Sequence, residues 1–175
     1  MPEKKSWISI FIKVLAYGSL LAAFIVGQIN FKGDLKELLE SKLDEGDSLS
    51  IIKTGEPAVF KLHKPDRILY AVISEETGYG GPFRLATLIT LEGIIEDVWI
   101  IESRETPAYL EKMKKANYPN EFLKMPIESN FLTGDDVDVV SGATISSKAF
   151  CRNIRNSTHQ AAIHGFNKEV SWEEE

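Results

Sequence analysis

Four consecutive residues, Ser141-Gly142-Ala143-Thr144, have the types and spacing to hold or carry a phosphate group. The pattern predicts that a helix begins near Thr144, and a helix start exposes free backbone N–H groups that favour a phosphate. Gly142 lets the backbone approach such a group closely, and Thr144 presents a hydroxyl there. These residues suit a hydroxyl-linked phosphate, but on their own they equally fit an ordinary N-cap, the commoner role of Thr at a helix start.

Two further segments precede this tetrapeptide. Residues 78–82 read Gly-Tyr-Gly-Gly-Pro after a predicted strand, and residues 104–107 read Arg-Glu-Thr-Pro at the end of the next hairpin. Asp138 stands three residues before Ser141, which gives Asp-x-x-Ser-Gly-Ala-Thr. Together, these motifs resemble the FMN-binding domain of the G subunit of Rnf-type electron-transport complexes and of the C subunit of sodium-pumping NADH:quinone oxidoreductases.

The resemblance implies that Thr144 carries FMN as a covalent phosphoester. A flavin transferase that uses a divalent metal would move the FMN from FAD, with Asp138 mainly a recognition element for that enzyme. The resemblance also implies that residues of all three segments bind the flavin: Ser141, Gly142, Ala143, Thr106, Pro107, Tyr109, Gly80 and Gly81.

The chain departs from the family after Glu-Thr-Pro, where Gly-Leu-Gly is common and this sequence has Ala108-Tyr109-Leu110. Ser103 stands where the family often has histidine. The contacts of the flavin ring therefore stay open. Tyr79 and Tyr109 could stack on the isoalloxazine, or they could serve the core or the surface.

The sequence shows no Walker lysine motif and no dinucleotide-binding glycine fingerprint, so we do not expect this chain to oxidise NADH itself. His159 and His164 are five residues apart and miss the i, i+4 spacing of a helical metal pair. We therefore expect neither a metal site nor a catalytic acid or base. Because a cofactor would carry the redox chemistry, we expect an electron-carrying subunit rather than a complete enzyme.

The length and composition of the chain are those expected for one compact domain with a membrane anchor. The chain has 175 residues, a net charge of −6 and a hydrophobic fraction of 43%. The acidic balance argues against nucleic-acid binding, and the lone cysteine, Cys151, cannot form an internal disulfide.

The elements that would position the motifs are those of an α+β fold with an antiparallel sheet and packed helices. Residues 68–73 predict a strand, and residues 83–91 and 94–101 predict a hairpin. Residues 112–117 predict a short helix, and residues 137–140 are strand-like. After Thr144, apolar residues at helical spacing predict one buried face ending before Gly165: Ala149, Phe150, Ile154, Ala161 and Ala162.

Residues 7–29 are almost all apolar, and ~20 such residues can cross a membrane as a helix. Lys13 lies close enough to the start of this run for its long side chain to reach back to the lipid headgroups. A cleaved signal peptide is the alternative, although no A-x-A-like site follows. We predict a transmembrane anchor at 1–31, an amphipathic linker helix (from Leu35, Leu38, Leu39 and Leu43) and first strand at 32–60, and the FMN-binding domain at 61–175.

The leading functional hypothesis is an electron-transfer subunit of an ion-translocating complex of Rnf or Nqr type. Its partners would be other membrane subunits and the flavin transferase. The lysines flanking the span leave its orientation open, and the family resemblance favours a flavin domain outside the cytoplasm on a single-pass inner-membrane anchor. The alternatives are a free-standing membrane-tethered flavoprotein that donates electrons to an extracytoplasmic acceptor, and a non-redox assembly module in which Thr144 caps a helix.

Overall fold

The computed structural model describes residues 12–19 and 35–169. The chain divides into two compact units, Met1–Glu37 and Leu38–Glu175. Residues 12–19 are helical, and the rest of the predicted membrane segment, 7–11 and 20–29, lies outside the described residues. In the part of the chain that is described, no helix has the length and apolarity to cross a membrane.

The centre of the second unit is an antiparallel meander, in which each strand pairs with the next along the chain. Within the described residues its strands are β1 (Ser48–Lys53), β2 (Ala58–His63), β3 (Ile68–Thr77), β4 (Pro82–Thr90) and β5 (Ile95–Ser103). The predicted hairpin is confirmed as β4 and β5, which join through a turn at Gly93 with φ +80°. The predicted α+β class with an antiparallel sheet is likewise confirmed.

Strand β3 is central, and both of its faces are covered. Five consecutive residues from Leu69 to Ile73 are buried, which explains why this segment reads as a continuous apolar run rather than an alternation. Strand β4 pairs with β3 from Thr90 opposite Leu69 to Pro82 opposite Thr77. This register places the loop of residues 78–81 at one end of the sheet.

Helix α2 (Thr144–His164) packs across β3 and β4. It begins at Thr144 and has Gly165 as its C-cap, as predicted. The five apolar residues predicted for its inner face are all buried; burial of a side chain such as Phe150 or Ile154 stabilises the fold by about 1.5–3 kcal/mol. A hydrogen bond from the Tyr70 hydroxyl to the Gly165 carbonyl (2.7 Å) ties the end of α2 to β3.

A buried polar cluster fixes α2 on the sheet. The Asn153 side-chain amide donates to the Ser74 carbonyl at 3.0 Å, while the Ser74 hydroxyl lies 2.6 Å from the Ser157 hydroxyl. All three side chains are fully buried. Because polar groups at this depth must be paired, the cluster specifies one position of the helix along β3.

Two predicted elements are wrong in extent. Helix α1 spans Pro107–Lys115, not residues 112–117, because Pro107 has the fixed φ that suits the first helical turn. The helix has already ended before Asn117, whose φ is +51°. The amphipathic helix after the anchor is described as helical only over residues 35–40 and ends before Leu43.

Residues 137–140 do not form the predicted strand. Only Val137 makes a bridge, to Thr133, around a turn in which the Gly134 N–H donates to the Val137 carbonyl at 2.8 Å. This short apolar run has no extended neighbour with which to pair, so it approaches α2 as irregular backbone. A short 3₁₀ helix, Tyr118–Phe122, lies earlier in the same connection.

Candidate functional site

Three segments that are far apart in sequence meet beside the start of α2. They are the glycine loop (residues 78–81), the segment after β5 (residues 104–106) and the turn before α2 (residues 141–144). Pairing of β4 with β5 brings the first two together, and the Arg104 N–H donates to the Pro82 carbonyl at 2.8 Å. Packing of α2 on the sheet supplies the third.

Glu105 joins the glycine loop and the segment after β5 to the first turn of α2. One carboxylate oxygen, Oε1, accepts from the N–H groups of Gly80 and Thr106, both at 2.7 Å. The other, Oε2, accepts from the Tyr79 N–H at 2.8 Å and from the Ser146 hydroxyl at 2.7 Å. With 5% of its surface exposed, Glu105 is a buried anion whose four donors come from the loop, from its own neighbour and from α2.

These bonds also determine the charge of Glu105. Burial acts to raise the pKa of the carboxyl, but the Ser146 hydroxyl and the three backbone N–H groups favour the ionised form and lower the pKa below its ordinary value. Glu105 therefore carries its negative charge at neutral pH and holds the glycine loop against the first turn of α2.

Glycines make this approach possible. A side chain at position 80 would bring its Cβ within 2.7 Å of the Thr106 nitrogen, and one at position 81 would bring it within 2.5 Å of the Arg104 carbonyl oxygen. Neither backbone can move far, because the Thr106 N–H is bound to Glu105 and the Arg104 N–H to the Pro82 carbonyl. Gly80 and Gly81 thus serve first to let the loop lie directly on the segment after β5.

The start of α2 leaves the Thr144 side chain exposed. Ala143 occupies the N-cap position, and no side chain caps the helix. Ser147 orders the preceding turn instead, because its hydroxyl accepts from the Val140 N–H at 3.2 Å and donates to the Ala143 carbonyl at 3.1 Å. The N-cap interpretation of Thr144 is therefore not the arrangement in the structure: Thr144 is the first residue of the helix and is exposed.

A cleft of about 200 Å³ opens at Thr144. Its walls are aromatic on one side and the turn and first residues of α2 on the other; the lining residues are Tyr79, Tyr109, Gly142, Ala143, Thr144, Ile145 and Ser146. The Tyr79 and Tyr109 rings meet edge to face, with their centroids 4.8 Å apart. Ile145 is 52% exposed, so the cleft combines a hydroxyl with apolar surface.

The structure places the predicted site residues in two layers. Thr144, Gly142, Ala143 and Tyr109 line the cleft. Gly80, Gly81, Thr106 and Pro107 lie behind it, where they shape the glycine loop and the start of α1. Ser141 is exposed on the turn, and Asp138 is exposed three residues before it.

Three residues that the sequence reasoning left out of the site contribute to it. Glu105 lay within a motif, and its position directly before Thr106 was the available signal. Ser146 is its partner on α2. Lys112 donates to the Gly142 carbonyl at 3.1 Å and lies 5.6 Å from the centre of the Tyr109 ring. The spacing of Tyr109 and Lys112 marks one helical face, but only if α1 is known to begin at Pro107.

Comparison with known proteins bears on the same residues. Residues 78–159, which include all three converging segments, match the family model of the FMN-binding domain. The chain is 24% identical over 139 residues to the G subunit of the proton-translocating ferredoxin:NAD(+) oxidoreductase complex of Clostridium ljungdahlii, and the match covers 76% of this chain and 73% of that protein. The resemblance predicted from the motifs is thus confirmed: residues 78–159 match an FMN-binding domain, and the chain is similar to the G subunit of an ion-translocating electron-transport complex.

Proposed function

We propose that this chain is the electron-carrying subunit of a membrane-bound, ion-translocating oxidoreductase of Rnf type, with FMN attached to Thr144 as a phosphoester. The observation that carries the proposal is the Thr144 hydroxyl, exposed at the first turn of α2 in a cleft walled by Tyr79 and Tyr109. The similarity to the Clostridium ljungdahlii protein supports the type of complex.

The cleft residues fit the two chemically different ends of FMN. The first hydrogen bond at the start of α2 is donated by the Ser147 N–H to the Ala143 carbonyl at 2.8 Å. The N–H groups of the helical residues before Ser147 therefore precede the intrahelical ladder and can donate to phosphate oxygens. Tyr79, Tyr109 and Ile145 offer apolar surface for the ring system. FMN, when bound, supplies the capacity to accept and release electrons.

The size of the cleft favours a role in electron transfer. Pockets that enclose drug-sized ligands measure roughly 300–1,000 Å³, and the volume here is about 200 Å³. The cleft can therefore cover only part of the cofactor. A ring that keeps one side open can be approached by redox groups of neighbouring subunits, which would deliver and receive the electrons.

Attachment is a phosphoryl-type transfer. The Thr144 oxygen forms a bond to the phosphorus on the flavin side of FAD, the pyrophosphate bond breaks, AMP leaves and the hydroxyl proton is released. A flavin transferase would catalyse this step with a divalent metal. Asp138 is exposed and supports recognition by that enzyme, because it can be contacted without disturbing the fold.

For location, we propose a single-pass anchor within residues 1–31, followed by a linker and a flavin domain that contains all five strands of the sheet, on the extracytoplasmic side of the inner membrane. Support comes from the apolar run at residues 7–29 and from the similarity to a component of a translocating complex. A C-terminal alkaline phosphatase fusion should be active. An inactive phosphatase fusion beside an active cytoplasmic reporter fusion would instead show that the flavin domain lies on the cytoplasmic side.

The decisive experiment is intact mass and in-gel ultraviolet fluorescence of the denatured chain from its native host, beside two variants. Thr144→Val removes the hydroxyl with little change in shape and should abolish both the added mass and the fluorescence. Thr144→Ser keeps a hydroxyl and should retain both. An unmodified, non-fluorescent native chain would refute the covalent flavin and favour the assembly module.

Purification in mild detergent separates the two flavoprotein hypotheses. Other redox subunits should co-purify with the native chain. A flavin-bearing chain that purifies alone and reduces an acceptor by itself would instead establish a free-standing flavoprotein.

A further inference from the structure

Lys112 is the basic residue of α1 that contacts the Ser-Gly-Ala-Thr turn. Its ammonium donates to the Gly142 carbonyl, at 3.1 Å, two residues before Thr144. Gly142 has φ +71°, and a Cβ at this position would lie 2.6 Å from the Lys112 nitrogen. The glycine therefore serves the backbone conformation and also leaves the space in which the lysine side chain lies.

The charge of Lys112 is not neutralised by its contact with Gly142. A carbonyl is a neutral acceptor, and an ammonium group has three N–H donors. Among the described residues, the ion pairs identified do not include Lys112, whereas Lys115 on the same helix pairs with Glu111 at 2.8 Å. Lys112 thus offers positive charge at the edge of the cleft.

A phosphate at Thr144 needs such a charge. The buried carboxylate of Glu105 accepts from the Ser146 hydroxyl at 2.7 Å, so an anion already lies on the first turn of α2. A second anion at Thr144, two residues before Ser146, would add negative charge to the same helical turn. The Lys112 ammonium, which donates to the Gly142 carbonyl in the turn before Thr144, supplies the compensating positive charge.

We propose that Lys112 is a positioning residue for the FMN phosphate, an inference that rests on the proposed function. Its ammonium binds the phosphate group that becomes esterified to Thr144 and holds it beside Gly142. Lys112 takes no part in electron transfer, and its contribution is made to the phosphate alone, not to the ring.

Riboflavin isolates this contribution, because it has the same ring and lacks the phosphate. In a Thr144→Val background, which keeps binding non-covalent, the affinities for FMN and for riboflavin can be measured by quenching of flavin fluorescence. Lys112→Met keeps much of the aliphatic stem and removes the charge. It should weaken FMN binding about tenfold, as expected for loss of one charge-assisted hydrogen bond, and leave riboflavin affinity within about twofold.

The second arm measures the initial rate at which purified flavin transferase labels the otherwise unaltered full-length chain with FAD and Mg²⁺. Lys112→Met should be labelled about tenfold more slowly, and Lys112→Arg should recover most of the rate. Lys114→Met is the matched control, since this residue lies on α1 about 200° around the helix from Lys112, and its rate should stay within about twofold of the parent.

The outcomes separate the two proposals. Equal losses of FMN and riboflavin affinity would show that Lys112 only supports the fold, and equal labelling of Lys112→Met and Lys114→Met would show that its charge is not used. Either result overturns the role of Lys112 while labelled Thr144 still stands. A parent chain that the transferase never labels would refute the proposed function and, with it, this inference.

Discussion

Replacement of Glu105 by glutamine tests whether this carboxylate holds the site together. The substitution keeps the size of the side chain and one acceptor oxygen. It places an amide NH₂, which is a donor, where a carboxylate oxygen now accepts two hydrogen bonds at 2.7–2.8 Å. With the NH₂ toward Gly80 and Thr106, two N–H donors would face a donor. With the NH₂ on the other side, the Ser146 hydroxyl can turn and accept from it, so only the Tyr79 N–H faces a donor and this orientation is favoured.

The magnitude follows from the bonds that are lost. A hydrogen bond to a charged group contributes about 1.5–3 kcal/mol and a neutral one about 0.5–1.5 kcal/mol. Each of the three bonds that remain is therefore weakened by about 1 kcal/mol, and the fourth, from the Tyr79 N–H, is removed. Tyr79 is 60% exposed, so its N–H can recover water when the loop relaxes. We therefore expect the three weakened bonds to dominate, with a loss of about 3 kcal/mol in the free energy of unfolding. Ser146→Ala removes one bond and should lose about 1.5 kcal/mol.

Urea unfolding of the full-length, unflavinylated chain in mild detergent, followed by far-ultraviolet circular dichroism, measures these differences. Glu111→Gln is the control, because Glu111 forms an exposed pair with Lys115 on α1 and such pairs contribute at most about 1 kcal/mol. If Glu105→Gln unfolds within 0.5 kcal/mol of the parent, roughly the scatter of surface substitutions, the carboxylate does not organise the site.

The pH dependence of the same difference supplies a second check. Because the pKa of Glu105 is lower in the folded chain than its ordinary value of 4.5, its contribution is complete above that pH and is lost as the pH falls through the folded pKa. The stability gap between the parent and Glu105→Gln should thus be constant near neutral pH and shrink below about pH 4.5. A gap that stays constant through the acid range would contradict the assigned charge.

Three further substitutions test the helix and the turn. Asn153→Ala removes the amide that donates to the Ser74 carbonyl in a fully buried cluster, and should lower the free energy of unfolding by about 2–3 kcal/mol in the same urea assay; a loss below 1 kcal/mol would contradict the cluster's role. Gly142→Ala and Gly134→Ala both force alanine to positive φ (+71° and +84°) and should each lose about 1 kcal/mol. Only Gly142→Ala should also slow flavin attachment, because only its Cβ meets Lys112; equal labelling of the two variants would show that displacing the lysine has no effect.

The sequence alone determined the elements whose signals are local. Helix α2 begins and ends where predicted, and its inner face is the predicted one, because a 3.6-residue apolar period is a property of consecutive residues. The β4–β5 hairpin was predictable because strand alternation and the Glu92-Gly93 turn are also local signals. The order of the three motifs also pointed to the FMN-binding domain, which the match over residues 78–159 confirms.

Only the tertiary structure decided the elements that depend on their neighbours. Residues 137–140 have the composition of a strand, yet they pair with no strand and approach α2 as irregular backbone. Helix α1 begins five residues earlier than predicted, since the effect of Pro107 depends on whether the chain turns there after β5. Short apolar runs do not carry this information.

The residues of the site also divide into those that the sequence could indicate and those that only the fold brought together. Thr144 and its turn could be singled out from sequence, since a helix start and a hydroxyl are local features. The role of Glu105 required folding, because its donors lie 25, 26 and 41 residues away in sequence at Gly80, Tyr79 and Ser146. The contact of Lys112 with Gly142 spans 30 residues. Hydrogen bonds between distant segments exist only once sheet pairing and helix packing have brought their donors and acceptors together, and the order of residues along the chain does not specify those distances.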